Sequence, residues 1–568
     1  MRNTVLDIFC GAGGFSEGFR QQGFEIIMGI DSWEPAINTF NHNFELDCKP
    51  RNVLDFQELV EEIEFLPDTE VIIGSPPCVS FSSSNRSGKA DKSTGVLLTE
   101  TFLRIVAVKK HKPGSKLKVW LMENVSNSIN YLNDYYTFKD LGLSDWAKEH
   151  KLSPTKKAIV LKGNQPIINS AKYGSPQKRK RVISGEFIDR GKLIIPPETH
   201  QAPEDDGNLP HFVTLGFVKS KLPKPNESRS DKVITDSLYP KISLKTFELS
   251  DHFYDSGLYE CEWRQSEFLK TNHPYMGRMS FPENEYKPSR TITATKIGTS
   301  REAIIYRSEF GRKGNGEYRV PTIRESACLM GFPITYQFLG SEGVKCKLVG
   351  NSVCPSVSRA FAKQSRKVLG LHEIKEPILA VTANIEGVDN LNTFFEGSFN
   401  SPPKRNKGSR FRRHPFKHGN ITVTLSNYDI VKNEKKVSKW RTSVQYGNGE
   451  GYPIHNLPDG LFYELEHLIK KIEKGRDFLK VINNGFTDKI GNRTSLQELY
   501  EAQQSNGGQL EPTKLVEEVG KLIERLGVDQ KDFIQEEQAI FKYKKHVPAT
   551  QIFALYAINK IATIANAK

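Results

Sequence analysis

No pair of cysteines spaced as CxxC occurs in these 568 residues, and the seven cysteines, at 10, 48, 78, 261, 328, 346 and 354, are scattered and odd in number. That argues against a disulfide framework and against a zinc knuckle, so the thiols are expected to be reduced and no metal is expected. A run of about eighteen apolar residues, the length that crosses a membrane, is also missing. Met1-Arg2-Asn3 leads into the first apolar stretch without a signal-type segment, so a cytoplasmic protein with no membrane contact is expected. Internal repeats and low-complexity tracts are absent as well. Present instead are an ordinary 37% of hydrophobic residues and 80 Lys plus Arg against 67 Asp plus Glu, a formal net charge of +13. Such an excess favours a polyanionic partner, with a merely solvated basic surface as the alternative.

Short apolar runs alternate with helical stretches from the start. Val5 to Phe9, Phe15 to Gln22, Ile26 to Ile30, Glu34 to Asn43 and Phe56 to Phe65 read as βαβα units, and Val71 to Gly74, Thr99 to Lys110, Val119 to Met122, Ala158 to Leu161 and Val182 to Phe187 continue them. The fold class expected is α/β, a doubly wound, mostly parallel sheet over residues 1–187 with right-handed crossovers. From 188 to 318 the texture turns to Pro, Ser, Asp and Lys without a sustained helical period, which predicts a smaller loop-rich domain. Helical patterns return at Arg324 to Met330 and Ser356 to Leu369, with Gly350-Asn351-Ser352 as a turn between them, so residues 319–370 are expected to rejoin the first domain. A mixed, mainly helical C-terminal extension of unknown role follows over 371–568. It opens on Lys404, Arg405, Lys407, Arg410, Phe411, Arg412, Arg413, Phe416 and Lys417. Strand-like runs follow at Ile421 to Leu425 and Trp440 to Val444, then an amphipathic helix between Pro512 and Gly527 and a buried segment from Ile552 to Ile564.

Three strand ends carry residues suited to chemistry. Ser75-Pro76-Pro77-Cys78 follows the apolar run Val71 to Gly74, and two prolines fix φ and remove two donors, so the strand must stop and the thiol is presented on a stiff turn. A lone cysteine is more often a small buried hydrophobe, and its company decides. Glu123 follows the run Val119 to Met122 and shares the carboxyl edge of the same sheet, where open α/β sheets bind ligands. A carboxyl group there could polarise an electrophile beside the thiol or simply cap a helix. No histidine has an evident claim as the thiol's base. The first turn, Asp7-Ile8-Phe9-Cys10-Gly11-Ala12-Gly13-Gly14-Phe15, lets backbone approach a ligand at a helix N-terminus, and Asp31, some twenty residues on, is placed to accept from ribose hydroxyls. In Gln177-Lys178-Arg179-Lys180-Arg181 the alternation turns Arg179 and Arg181 to one side, as guanidinium forks for phosphate or base edges. Ser82 to Gly95, with Arg86, Lys89 and Lys92, reads as a loop able to close over the cleft.

The order of these pieces, completed by Phe81-Ser82, Glu123-Asn124-Val125, Arg290-Thr291-Ile292-Thr293 and Gly350-Asn351-Ser352-Val353, resembles the DNA (cytosine-5) methyltransferase family of bacterial restriction-modification systems over about residues 1 to 370. The resemblance implies the S-adenosylmethionine-dependent methyltransferase fold, with S-adenosyl-L-homocysteine as product and no metal. It implies that Cys78 adds to carbon 6 of a cytosine flipped out of double-stranded DNA, that Glu123 holds ring nitrogen 3 and the amine, and that Arg181 contacts the base while Gln177 and Arg179 shape its surroundings. Phe9, Gly11, Ala12 and Gly14 would meet the methionine and adenosyl groups, Asp31 the ribose, Pro77 and Leu97 the adenine, and Asn351 and Ser352 the opposite wall. Three departures touch adenine binding: Val79 where Gln is usual, Asn52 where Asp is common, and Ser32 where an aromatic is frequent.

The region from about Ile188 to Pro288 is similar to the family's target recognition domain, which reads bases in the major groove. A cognate restriction endonuclease on the same site, and a nucleoid-associated location in a bacterial or phage-encoded setting, follow by the same likeness. The alternatives are a tRNA cytosine-5 methyltransferase of this fold and a catalytically silent DNA-binding homologue. For residues 371–568 a duplex clamp, a nuclease contact and plain structural support stay open. A carboxylate cluster at Pro458-Asp459 with Glu464 and Glu466 is a weak nuclease signal.

Overall fold

The computed structural model describes residues 3–77, 92–258, 260–272, 277–294, 298, 300–312, 316–391, 413–418, 421–432, 435–446, 454–456, 462–502, 505, 507–528, 533–535 and 546–567. Two compact units divide the chain, 1–399 and 400–568.

In the first unit, strands β1 (Thr4–Ile8), β2 (Glu25–Ile30), β3 (Val71–Gly74) and β4 (Val119–Val125) form the parallel part of a sheet that β5 (Ile167–Asn169) and β6 (Lys180–Phe187) extend. Its order is β2-β1-β3-β4-β6-β5. The chain moves outward from β1 to β2 and then returns to the other side of β1 for β3, so the strand order reverses between β1 and β3. A doubly wound sheet opens its ligand cleft at that reversal. Every residue of β3 is buried, as a strand covered on both faces requires. Helices α1 (Gly14–Gln21), α2 (Glu34–Phe44) and α3 (Lys92–His111) connect the strands.

The fold departs from the sequence reading in three places. β6 runs antiparallel to β4, with Glu123 opposite Ile183 and Val125 opposite Arg181, because β4 reaches β6 through short pieces and not through a crossover helix. The run at Ala158 to Leu161 leaves this sheet and pairs, as Lys157–Val160, with Tyr135–Thr137. Gly350 and Asn351 are also no turn: they end the helix α5 (Glu342–Asn351). Between α4 (Ile323–Met330) and α6 (Pro355–Val368), that helix returns the chain to the sheet. α6 lies on α1, where a Cβ on Gly18 would stand 2.3 Å from the Arg359 nitrogen. Only glycine permits the approach. The stretch 188–318 holds two short helices, Leu215–Lys221 and Glu260–Thr271, and two-residue to three-residue strand pairs, so its core rests largely on loops.

The second unit is a four-stranded antiparallel sheet, β7 (Arg413–His418), β8 (Ile421–Lys432), β9 (Lys435–Tyr446) and β10 (Ile454–Asn456), with helices on one face. Ile421, Val423, Leu425, Trp440 and Val444 share a core with Leu515, Val519 and Ile523 of α7 (Pro512–Arg525) and with α8 (Ala549–Ala567), which is buried along most of its length. Residues 404, 405, 407, 410, 411 and 412 of the basic stretch, and Pro458 with Asp459, lie outside the described residues, while Glu466 pairs with Lys470 at 2.7 Å. Among the described residues no helix is long and apolar enough to cross a membrane.

Candidate active site

The register of the sheet brings three side chains together at its carboxyl edge. Gly74 pairs with Met122, so the residues that follow, Ser75 and Glu123, stand side by side. The Ser75 hydroxyl donates to Glu123 Oε2 at 2.7 Å. On the other flank, Arg181 lies one pair diagonally from Glu123 and on the same face of the pleat, and its Nε stands 3.1 Å from Glu123 Oε1. Glu123 is 6% exposed. A carboxylate this deep is tolerable because both oxygens have charge-assisted or hydroxyl partners. Asn124 braces the turn by donating from Nδ2 to the Pro76 carbonyl at 3.4 Å.

Glu123, Arg179 and Arg181 line a recess whose remaining wall includes Ile168, Ile183, Val353 and Cys354. Arg179 is 4% exposed and donates to the carbonyls of Ile292, at 3.1 Å, and Gly350, at 3.0 Å. It therefore ties two distant segments to the floor of the recess. Gln177 does not reach the recess. Its amide oxygen accepts from the Ile292 nitrogen at 2.9 Å and its Nε2 lies against Met330 Sδ at 2.8 Å, so it acts as a buried splice. Cys78 and Val79 lie outside the described residues, as does the expected closing loop through residue 91; from Lys92 the chain is already helical.

A second group surrounds the glycine turn after β1. Phe9 has φ 59° and Gly11 φ 52°, a left-handed path that curls the backbone around the strand end. Asp31, at the end of β2, accepts from the Gly11 nitrogen through Oδ2 at 3.0 Å and from the Trp33 nitrogen through Oδ1 at 2.8 Å. Burial raises its pKa while those N–H donors pull it back. A Cβ built on Gly11 would meet nothing within 4 Å, whereas one on Gly14 would stand 2.3 Å from the Val353 carbonyl. The turn thus has one open side, beside Asp31, and one packed against the returning wall. Ala12 is buried, its carbonyl accepting from the Tyr336 hydroxyl at 2.5 Å.

Of the remaining expected residues, Pro77 and Leu97 are exposed near the strand end and in α3. Asn52 spends its side-chain oxygen on the Leu54 nitrogen, capping a short helix at 3.1 Å. Asn351 is exposed, and Ser352 is 6% exposed and donates to the Leu348 carbonyl at 2.6 Å. Sequence reasoning missed Ser75, Asp7 and Tyr336. Asp7 is fully buried under the turn, accepts from the Ser16 hydroxyl at 2.6 Å, and has its pKa pushed up by burial to about 8. The signal for Ser75 lies in the strand register, which a single sequence does not reveal.

A model of the C-5 cytosine-specific DNA methylase family matches residues 3–367. The type II methyltransferase M1.HphI of Haemophilus parahaemolyticus is 24% identical over 383 residues, covering 65% of this chain and 88% of that protein. M.AplI of Arthrospira platensis is 26% identical over 374 residues, 64% of this chain and 86% of its own, and M.HgiDI of Herpetosiphon aurantiacus is 27% identical over 357 residues, 61% and 89%. Both carry the name type II methyltransferase. The matched span ends with α6, before the second unit begins.

Proposed function

The chain belongs to the C-5 cytosine-specific DNA methylase family, and from that premise we propose which of its residues carry the reaction. It is a DNA (cytosine-5) methyltransferase with S-adenosylmethionine as methyl donor. The residues around the glycine turn suit that donor. The open side at Gly11 offers room, the Asp31 carboxylate beside it is an acceptor suited to a ribose hydroxyl, and Gly14 allows the Val353 wall to close. Phe9, Ala12, Pro77, Leu97 and Asn52 complete the proposed surround, with Asn351 and Ser352 on the returning wall. Bound there, the donor supplies an electrophilic methyl group.

The observation that carries the reading is the Glu123 carboxylate, buried yet held from both sides by Ser75 and Arg181 at the mouth of a recess. Carbon 5 of cytosine is a poor nucleophile. In the proposed sequence the Cys78 thiolate adds to carbon 6, and the electron pair of the 5,6 double bond shifts toward carbon 5 and the ring nitrogen 3 that Glu123 holds. Carbon 5 takes the methyl group, its proton passes to a base, and the electrons of that bond restore the double bond and expel the thiolate. Stacking hides both faces of the ring, so the cytosine of the duplex must be flipped into the recess. Arg181 fixes the carboxylate and one edge of the base, Arg179 fixes the floor, and Gln177 joins the floor to Ile292.

Residues 188–318 are proposed as the target recognition domain. A cognate endonuclease cutting the same sequence, with the methylation protecting the cell's own DNA, accords with the type II names of the relatives. The test is transfer of labelled methyl to duplex DNA, followed by bisulfite sequencing of DNA from expressing cells. Wild type is expected to modify one cytosine in one short sequence, and Cys78→Ala to bind DNA without transferring. Transfer retained in Cys78→Ala, or directed to tRNA in preference to duplex DNA, would overturn the assignment.

A further inference from the structure

The family match ends at residue 367, and α6 ends one residue later. The chain does not leave the first unit there. Residues 371–391 continue without helix or strand, yet Leu371, Leu379, Ala383 and Leu391 pack on its core. Hydrogen bonds fix the course of this segment step by step. The Ile378 nitrogen donates to the Gln21 carbonyl, at the end of α1, at 2.9 Å. Thr335 Oγ1, beyond α4, donates to the Ala380 carbonyl at 2.8 Å, and His42 Nε2, in α2, donates to the Asn384 carbonyl at 2.8 Å.

The segment then reaches a buried knot. Asp251 belongs to the stretch 188–318 and Lys345 to α5, and both side chains are fully buried. Lys345 Nζ donates to the two Asp251 oxygens at 2.7 and 2.9 Å. An ion pair this deep has lost its hydration and is tolerated only with further hydrogen bonds. Residues 389–391 supply them. The Leu391 nitrogen donates to Asp251 Oδ1 at 3.1 Å, and the Asp389 carbonyl accepts from Lys345 Nζ at 2.5 Å. Asn390 Oδ1 accepts from the Asp251 nitrogen at 2.8 Å, while the Asp251 carbonyl accepts from the Arg324 nitrogen of α4 at 3.1 Å. Asp251 has φ 58°, a left-handed conformation that a non-glycine residue keeps only where its surroundings over-determine it.

The knot is connected to the recess. Lys345 shares α5 with Gly350, which presents the carbonyl that Arg179 grips and whose backbone lies against Thr293. The other partner, Asp251, is where the stretch 188–318 meets α4 and α5. We propose that residues 371–391 act as a strap that seats the recognition region against the wall of the recess, with Asn390, Asp251 and Lys345 as positioning residues for methyl transfer. The proposal rests on the reading of the recess as the base pocket and of 188–318 as the recognition region, and it gives a role to chain beyond the family span. These residues act on the base through α5 and Arg179, where a small misplacement is enough to slow the chemistry.

The experiment compares full-length wild type with Asn390→Ala and Asn390→Asp. Asn390→Ala deletes the acceptor of the Asp251 N–H and leaves the Asp251–Lys345 pair in place. Amide hydrogen exchange in the free protein is expected to speed up by about tenfold at 248–254 and 342–351. Per folded enzyme, kcat on target duplex is expected to fall by about tenfold, and the preference for target over a duplex with an altered base pair to shrink. Binding of S-adenosyl-L-homocysteine is expected to stay at the wild-type level, because the glycine turn is untouched. Asn390→Asp keeps an acceptor oxygen beside Lys345 and is expected to restore both exchange and kcat. Wild-type exchange at both segments in Asn390→Ala would overturn the strap. Faster exchange with wild-type kcat and target preference would overturn the positioning role, and so would a lowered thermal midpoint as the sole change. Failure of wild type to methylate duplex would count against the catalytic reading alone, since exchange is read without turnover.

Discussion

Ser75, just past the end of β3, and Glu123, inside β4, each follow the paired Gly74 and Met122 by one residue, and their side chains meet at 2.7 Å. With Arg181 on the other oxygen, the carboxylate has no freedom to swing out of the recess. The serine that opens the Ser75-Pro76-Pro77-Cys78 turn thus braces the acid on the adjacent strand, linking the two groups assigned to the chemistry. Ser75→Ala removes a hydrogen bond to a charged group, an effect of about 1.5–3 kcal/mol. The expected result is a fall in kcat of about tenfold or more with little change in DNA affinity, and restoration by Ser75→Thr, measured by steady-state methyl transfer.

Much of this site is legible in the sequence alone. Proline pairs, a glycine turn and apolar runs of strand length each mark a strand end on local grounds, and the α/β rule assembles those ends on one edge. What escapes is whatever depends on register or on long-range packing. The antiparallel course of β6 turns on which strand it pairs with. The sequence groups Gln177 with Arg179 and Arg181, yet Gln177 and Arg179 spend their polar groups on Ile292 and Gly350, more than a hundred residues away. The Gly350-Asn351-Ser352 segment has the small residues that favour turns, but tertiary packing holds Gly350 and Asn351 in α5.

That packing leaves no space at Gly350, where a Cβ would stand 2.4 Å from both the carbon and the oxygen of the Thr293 carbonyl group. Gly350→Ala must push two backbones apart and disturb the carbonyl that Arg179 grips. Thermal unfolding is expected to show a loss of about 1–3 kcal/mol. Gly11→Ala, with open space around the added carbon but a positive φ, should cost less stability and instead weaken donor binding, measured by calorimetry with S-adenosyl-L-homocysteine.

Asp7 imposes a pH dependence. Its pKa is raised by burial from 3.8 to about 8, so folding favours the protonated acid. The associated stability is fully present below the unfolded value and is lost as pH rises through the folded one, between about 4 and about 8. Asp7→Asn removes the titration while keeping the shape. The thermal midpoint of the variant is expected to vary less with pH across that window than that of wild type.

Asp31 accepts from the nitrogens of Gly11 and Trp33, beside the open side of the turn at Gly11. Asp31→Asn halves the acceptor capacity toward a ribose. Binding of S-adenosyl-L-homocysteine is expected to weaken by about tenfold or more, with DNA binding unaffected. Equal affinity in calorimetry would place the donor elsewhere.

The proposed covalent bond between Cys78 and cytosine carbon 6 can be seen by mass spectrometry of a trapped complex. A duplex carrying the target with fluorine in place of the carbon 5 hydrogen cannot lose that proton, so the adduct persists after methyl transfer. The expected result is a nucleotide attached to the peptide that contains Cys78, abolished in Cys78→Ala. An adduct on another peptide, or methylation of ordinary duplex by an enzyme that forms none on the fluorinated one, would contradict it.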